Sequence, residues 1–171
     1  LTLKGLAGTD STATAIRSIF YYIITNPLVY STLQHELDSA TFHRPIIRDA
    51  EARKLPYLQA CIQEGLRCWP PVAGLIYKVT PPEGDTYNGK FIPGCTNIAY
   101  STWRTHHSRE VYGVDADIFR PERWLEAEGE KLYDMTRSAE LVFGYGQHGC
   151  LGKTIVLLEL NKVFAEVGFP L

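Results

Sequence analysis

The 171-residue chain has four cysteines, Cys61, Cys68, Cys95 and Cys150, and no two form a C-x-x-C pair. That spread argues against a zinc knuckle or a disulfide framework. Reduced thiols facing a cytosol are the ordinary alternative. An excess of one charge is missing too. Lys and Arg total 17 against 19 Asp and Glu, a formal net charge of −2, which gives no electrostatic reason to expect a nucleic-acid partner. Signal peptide, membrane span, internal repeat and low-complexity tract are all missing. So is an initiator Met. "LTLKGLAGTD" opens the chain without a helix N-cap, in what reads as helix interior, and "EVGFPL" closes it. Both ends are expected to be cuts through a longer protein, with residues 1–171 forming one partial domain.

The chain is 45% hydrophobic, which suits a packed core. Ile16, Ile19, Phe20, Ile23 and Ile24 recur at helical spacing, and Pro27 stops the run. Asn26 as cap and Pro27 in the first turn start a second helix carrying Leu28, Leu33 and Leu37. The polar stretch from Ser39 to Arg53 reads as loop. "LPYLQACIQEGLRCWPP" predicts a helix with Leu58, Cys61, Ile62 and Leu66 on one side, ended by Pro70 and Pro71. From Val72 to Tyr100 the chain turns rich in Tyr, Ile, Thr, Gly and Pro, predicting short strands with a hairpin turn at Asn88-Gly89. "HHSREVYGVDADIFRPERWL" reads as mostly irregular. A last helix is expected to begin near Leu151 and to use Ile155, Leu158, Val163, Phe164 and Val167. The class is mainly α with a small β part.

"FGYGQHGCLG", Phe143 to Gly152, sets one cysteine among four glycines. Glycine carries a large entropic cost on folding, so this density implies a sharp turn or a close approach by something large. Cys150 stands where the last helix should start, a setting that favours thiolate over thiol. Gly149 and Gly152 leave backbone N–H groups free for the sulfur, and Gly146 lets the loop lie flat. Such a sulfur can be a nucleophile, a redox thiol or a metal ligand. Taken alone it reads equally as an inert cysteine in a turn.

Three further stretches bear on that choice. "EGLR" places Glu64 and Arg67 at i, i+3 on one helix face, by itself an ordinary surface pair. "FRPERW" adds Arg123. "AGTDST" sets Gly8, Asp10 and Ser11 inside an otherwise apolar helix, where an acid, an alcohol and a glycine are poor choices for packing.

Together and in this order, "AGTDST", "EGLR", "FRPERW" and "FGYGQHGCLG" resemble the cytochrome P-450 haem-thiolate monooxygenases, in their C-terminal portion. "PPEGDTYNGKFIPG" and "DADIFRPERWLE" look closest to fungal microsomal members such as pisatin-demethylase-like enzymes. The resemblance implies a haem b cofactor with Cys150 as its axial thiolate ligand. It implies that Phe143 shields the sulfur, that Gly146 and Gly152 admit the porphyrin, and that Asp10 and Ser11 deliver protons, with Ala7 and Gly8 opening a notch. Glu64, Arg67 and Arg123 would form a buried structural triad. Lys78 and His148 would meet haem propionates. Ser11 stands where the family mostly has Thr, and His148 where it mostly has Arg, so proton delivery would be less tightly held and propionate binding open to pH.

The implied reaction inserts one oxygen atom from O2 into a small organic substrate, with electrons from an NADPH-dependent reductase. The alternative on the same fold is a haem-thiolate isomerase or dehydratase that does not use O2. A non-catalytic helical interaction module would leave the four motifs without a common cause. The resemblance also implies the cytosolic face of the endoplasmic reticulum membrane, with an anchor N-terminal to this chain. The 171 residues alone are expected to be an inactive part of the enzyme. In that state Ile16, Ile19, Phe20 and the last helix would lack packing partners, and a groove would lie open between Ala7–Ser11 and Phe143–Gly152.

Overall fold

The structure is a computed structural model that describes residues 2–167, with side chains from residue 7 onward. Whether the first helix carries an N-cap falls on residue 1, outside the described residues. That helix, α1 (Thr2–Ile24), buries Ala15, Ile19 and Ile23 along one face. Its last carbonyls are closed by side chains. Thr25 Oγ1 donates to Tyr21 O at 2.7 Å and Asn26 Nδ2 to Tyr22 O at 2.7 Å. Asn26 therefore finishes α1 and makes no side-chain cap for α2 (Pro27–Ser39), although Pro27 does sit in the first turn of α2.

Residues 40–53 are not all loop. A one-turn helix α3 (Asp49–Ala52) forms there because Glu51 reaches back to accept the Arg48 N–H at 3.0 Å. A reciprocal carboxylate of this kind is half of a capping box. Next comes α4 (Pro56–Cys68). Its leading amides are capped from another helix, with Tyr57 N and Leu58 N each donating to the Glu36 carboxylate at 2.8 Å. A carboxylate at a helix N-terminus satisfies orphan donors and meets the positive end of the dipole.

The strands β1 (Leu75–Val79) and β4 (Asn97–Ser101) pair antiparallel, Leu75 opposite Ser101. Between them β2 (Asp85–Tyr87) and β3 (Lys90–Ile92) form the expected hairpin. Asn88 and Gly89 have φ of 50° and 73°, the left-handed pair of a type I′ turn. Three short helices follow, α5 (Thr102–His106), α6 (Arg109–Tyr112) and α7 (Arg123–Glu126). A longer one, α8 (Gly129–Glu140), was not legible because its only fully buried apolar residue is Met135. The chain ends its described part in α9 (Lys153–Val167).

Helix α4 is buried on nearly every side. On one side Leu58, Cys61 and Ile62 join Ile19, Leu33, Leu160 and Phe164 in the main core. On the other, Ala60 packs with Tyr112, Ala116, Trp124 and Met135 in a smaller one. Ile19 is fully buried and Ile16 and Phe20 pack on the main core, so α1 does not lack partners within this chain. The face of α9 also differs from expectation. Leu160, Asn161, Phe164 and Ala165 are buried, while Ile155 is 62% exposed. Ile155 to Leu158 are four apolar residues in a row, which leaves the phase of the helix undecided until α4 packs against it.

One glycine is set by packing. A Cβ on Gly65 would stand 2.3 Å from Ile19 Cγ1. Overfilling a packed contact costs about 1–3 kcal/mol. Gly65→Ala is therefore expected to lower the unfolding free energy by that amount, seen as a lower midpoint of chemical unfolding. An unchanged midpoint would mean that α1 and α4 separate freely.

Candidate functional site

The cysteine loop runs from a 3₁₀ turn at Leu141–Phe143 to the start of α9. Gly144 (φ 71°) and Gly146 (φ 65°) take left-handed conformations there, which L side chains resist. These bends bring the two ends together, and the Cys150 N–H donates to Phe143 O at 2.7 Å. The helix begins at Lys153, two residues later than expected, with Lys153 N bonded to Cys150 O at 3.4 Å. Gly149 does not offer its N–H to the sulfur, because it donates to Gly146 O at 2.9 Å. Gly152 lies against the sulfur instead, where a Cβ would sit 3.7 Å from Sγ.

Cys150 is exposed and free. It lines two adjoining clefts of about 230 and 700 Å³, which share Leu141, Phe143, Gly144 and Cys150. The first is mostly apolar, walled by Ala15, Leu66, Val72, Ile76 and Val156, and it also receives Ser11 and His148. The second receives Gly146, the cations Lys78, Arg137 and Lys153, and Glu140, whose carboxylate accepts from Lys153 at 2.8 Å. The structure thus brings together Ser11, Phe143, His148 and Cys150 on one side, and Lys78, Phe143, Gly146 and Cys150 on the other.

Asp10 is not brought in. It is exposed and lines neither cleft, since one residue along a helix turns the side chain by about 100°. No notch breaks α1 at Gly8. The helix runs through, and Ser11 Oγ donates to Ala7 O at 2.6 Å, the i−4 back-bond open to a hydroxyl within a helix.

Away from the clefts Glu64, Arg67 and Arg123 converge. Arg67 makes a two-pronged pair with Glu64, Nε to Oε2 at 2.9 Å and Nη2 to Oε1 at 2.8 Å. Arg123 Nε reaches Glu64 Oε1 at 2.9 Å across 59 residues of sequence. Glu64 and Arg67 are 0% exposed and Arg123 2%. Burial alone would raise the Glu64 carboxyl. The hydrogen bond and charge of Arg67, the charge of Arg123 and the Arg120 N–H outweigh it and hold it below the usual range.

Sequence reasoning missed the rest of this cluster. Trp124 Nε1 donates to Glu64 Oε2 at 2.9 Å, and Arg120 N to Glu64 Oε1 at 2.9 Å. Asp115 takes Arg120 Nε at 2.7 Å and Arg123 Nη1 at 3.2 Å. The carbonyls of His106 and Ala116 accept Arg67 Nη1 at 2.7 and 2.6 Å. A buried Trp needs a partner for its N–H, so the Trp beside Arg123 was a usable signal. The carbonyls carried none. Among the other cysteines, Cys68 is buried, and burial followed by the Glu64 charge pushes its thiol up to about 12. Cys61 is buried too, and Cys95 is exposed on a turn.

Fold and site define a protein that presents one cysteine sulfur, on a glycine-bent loop, to a broad cleft braced by a buried ion cluster. The chain belongs to the cytochrome P450 family, whose model matches residues 5–167. It is 48% identical over 164 residues to the cytochrome P450 monooxygenase abl1 of Leptosphaeria maculans, covering 94% of this chain and 29% of that protein. It is 44% identical over 169 residues to the cytochrome P450 monooxygenase ABA1 of Pyricularia oryzae, covering 96% and 33%. A pisatin demethylase of Fusarium vanettenii is 37% identical over 161 residues, covering 94% and 31%. The chain therefore spans about a third of the length of these curated relatives.

The family implies haem. The residues present fit that group. They offer an exposed sulfur donor, apolar walls on one side, cations on the other, and at Gly146 and Gly8 backbone with open space beside it.

Proposed function

We propose that this chain is the haem-ligating C-terminal part of a P450 monooxygenase that binds haem b. The observation that carries the reading is the exposed Cys150 sulfur in a cleft shared with Ser11 of α1. When bound, haem would supply O2 activation and transfer of one oxygen atom to a small organic substrate, with electrons from an NADPH-dependent reductase. Cys150 would hold the iron as thiolate. Phe143 would cover the sulfur, and Gly146 and Gly152 would keep side chains out of the way. Lys78 and His148 would meet the anionic edge of the cofactor from the two clefts. Val72 and Ile76 would form part of the substrate wall. Glu64, Arg67 and Arg123 would hold the frame and take no part in the chemistry.

Ser11 would hold a proton at Oγ for delivery into the cleft. Its hydroxyl is committed to Ala7 O, so it must turn from that carbonyl to serve. Asp10 would supply protons from the outer side of α1. No described helix is long and apolar enough to cross a membrane. We place the enzyme at the cytosolic face of the endoplasmic reticulum, with its anchor in an N-terminal part.

The test is turnover of the full-length protein with reductase and isotopically heavy O2. One labelled atom in the product is expected. A product without label would favour the isomerase or dehydratase chemistry. In the same assay Ser11→Thr, whose β-branch restricts the rotamer, should raise product per NADPH by ~2-fold, the scale of a rotamer preference of ~0.5 kcal/mol. Equal coupling would remove Ser11 from proton delivery.

A further inference from the structure

Lys153 opens α9, and none of the roles above falls to it. A helix start is a poor place for a cation, because the macrodipole is positive there. This one is held from two sides. Glu140, the last residue of α8, accepts from Nζ at 2.8 Å. The same ammonium lies over the Phe143 ring, 5.6 Å from its centroid, inside the ~6 Å reach of a cation–π contact. Glu140, Phe143, Cys150 and Lys153 all line the second cleft. The Lys153 and Glu140 side chains are 39% and 60% exposed, so their ion pair adds little to stability. What it fixes is position, since a lysine alone is a point charge on a flexible stem.

We propose that Lys153 is a positioning residue that holds the Phe143 ring in the place from which it shields the Cys150 sulfur. Two latches are nested in the loop. The inner one, from Cys150 N to Phe143 O at 2.7 Å, fixes the backbone of Phe143 and leaves its side chain free to turn. The outer one, from Lys153 to Glu140, sets a cation over the face of the ring. Phe143 also packs on the main core, so the ring is bounded by apolar side chains and by the ammonium. The inference rests on the reading of Cys150 as haem ligand with Phe143 as its cover, since only then does the placement of the ring matter to a reaction.

Releasing the ring lets water reach the sulfur. Solvent access helps to set the potential of a metal site, and more polar surroundings favour the reduced state, which carries the extra electron. Loss of the lysine charge alone works in the opposite direction, because a nearby cation also favours that state. Removing Glu140 and Lys153 together leaves the net charge as it was, so a rise in potential that also needs Phe143 is due to the ring. Lys78 and Arg137 line the same cleft, so cations remain there for the anionic edge of the cofactor.

The experiment uses the haem-loaded full-length protein. The pair Glu140→Gln and Lys153→Met is made in the wild-type and in the Phe143→Leu background, with Lys153→Arg alone as the conservative variant. Haem per polypeptide, the reduced carbon monoxide spectrum and the one-electron reduction potential are recorded. With Phe143 present, the pair should keep its haem and raise the ratio of reduced to oxidised protein at fixed potential by ~2–5-fold, the scale of an exposed cation–π contact. At about 59 mV per tenfold for one electron, that is a rise of ~18–41 mV. In the Phe143→Leu background the pair should shift nothing. Lys153→Arg, which also seats a cation over a ring, should keep the native potential. An equal shift in both backgrounds would mean that Lys153 acts through its charge, and it overturns the proposal, as does no shift in either. Soluble protein without haem would assign Lys153 to the anionic edge of the cofactor and overturns it too. If the wild type lacks the thiolate-type band, the ligand reading has failed and this inference falls with it, whereas a band with equal shifts sinks the role of Lys153 alone. Should the paired variant be insoluble, Lys153→Gln in the two backgrounds decides by the same comparison.

Discussion

Glu64→Ala in the full-length protein is expected to yield no soluble, haem-containing enzyme. The Glu64 carboxylate accepts five hydrogen bonds, two from Arg67 and one each from Arg120 N, Arg123 and Trp124. It is fully buried, as is Arg67. Removing it leaves two guanidinium groups with backbone carbonyls and the more exposed Asp115 as their remaining acceptors. Breaking a buried pair by deleting one partner costs about 3–5 kcal/mol. A whole domain is stable by only about 5–15 kcal/mol. Cluster and cysteine loop are joined through α5 and α8, so the loss should spread to the haem cleft. The measurement is soluble yield and haem per polypeptide. Normal haem content with slow turnover would mean that the cluster serves chemistry and not the frame.

The same carboxylate sets an acid limit. Its affinity for a proton is held below the ordinary 4.5. A group depressed in this way stabilises the fold fully above its unfolded value and progressively less as the pH falls through the folded one. Loosening that depends on Glu64 should begin only below about 4.5.

Much of this was legible before any coordinates. The Asn88-Gly89 hairpin follows from local turn chemistry, and the helix carrying Glu64 from its apolar spacing. The meeting of Arg123 with Glu64 followed from the resemblance, since nothing local links residues 59 apart. What could not be read was settled by packing. Helix α8 has a polar surface and one deep anchor, Met135, so its pattern is faint. In α9 four consecutive apolar residues fit several faces, and only contact with α4 and α3 selects Leu160 and Phe164. Asn26 could cap the helix after it or close the helix before it, and the second geometry won. The carbonyls that complete the Arg67 site belong to residues of any type, so no side-chain motif announces them. Asp10 lies outside both clefts for a related reason. An acid beside an alcohol suggests a working pair, but neighbours on a helix point in different directions.

Cys150→Ser should give the opposite pattern to Glu64→Ala, with the fold kept and the thiolate signature lost. The sulfur is exposed, so deleting it opens no core cavity. The loop is closed by the backbone bond from Cys150 N to Phe143 O, which serine retains. Its shape comes from Gly144 and Gly146 at positive φ, not from the side chain at position 150. In the haem-free protein the unfolding free energy should therefore change by no more than about 0.5 kcal/mol, as for an exposed substitution; a larger loss in the haem-loaded protein measures the ligation that serine lacks. The thiolate-type band of the reduced carbon monoxide complex should vanish completely, because a neutral alcohol does not replace a thiolate at haem iron. The remaining cysteines serve as controls. Cys61→Ser and Cys68→Ser put a hydroxyl into buried positions and should cost about 1–3 kcal/mol where that hydroxyl finds no partner, while leaving the band in whatever protein folds. Cys95→Ser should change neither. If the band survives Cys150→Ser and disappears with one of the other three, the ligand has been assigned to the wrong sulfur, and the clefts at the cysteine loop would need another occupant.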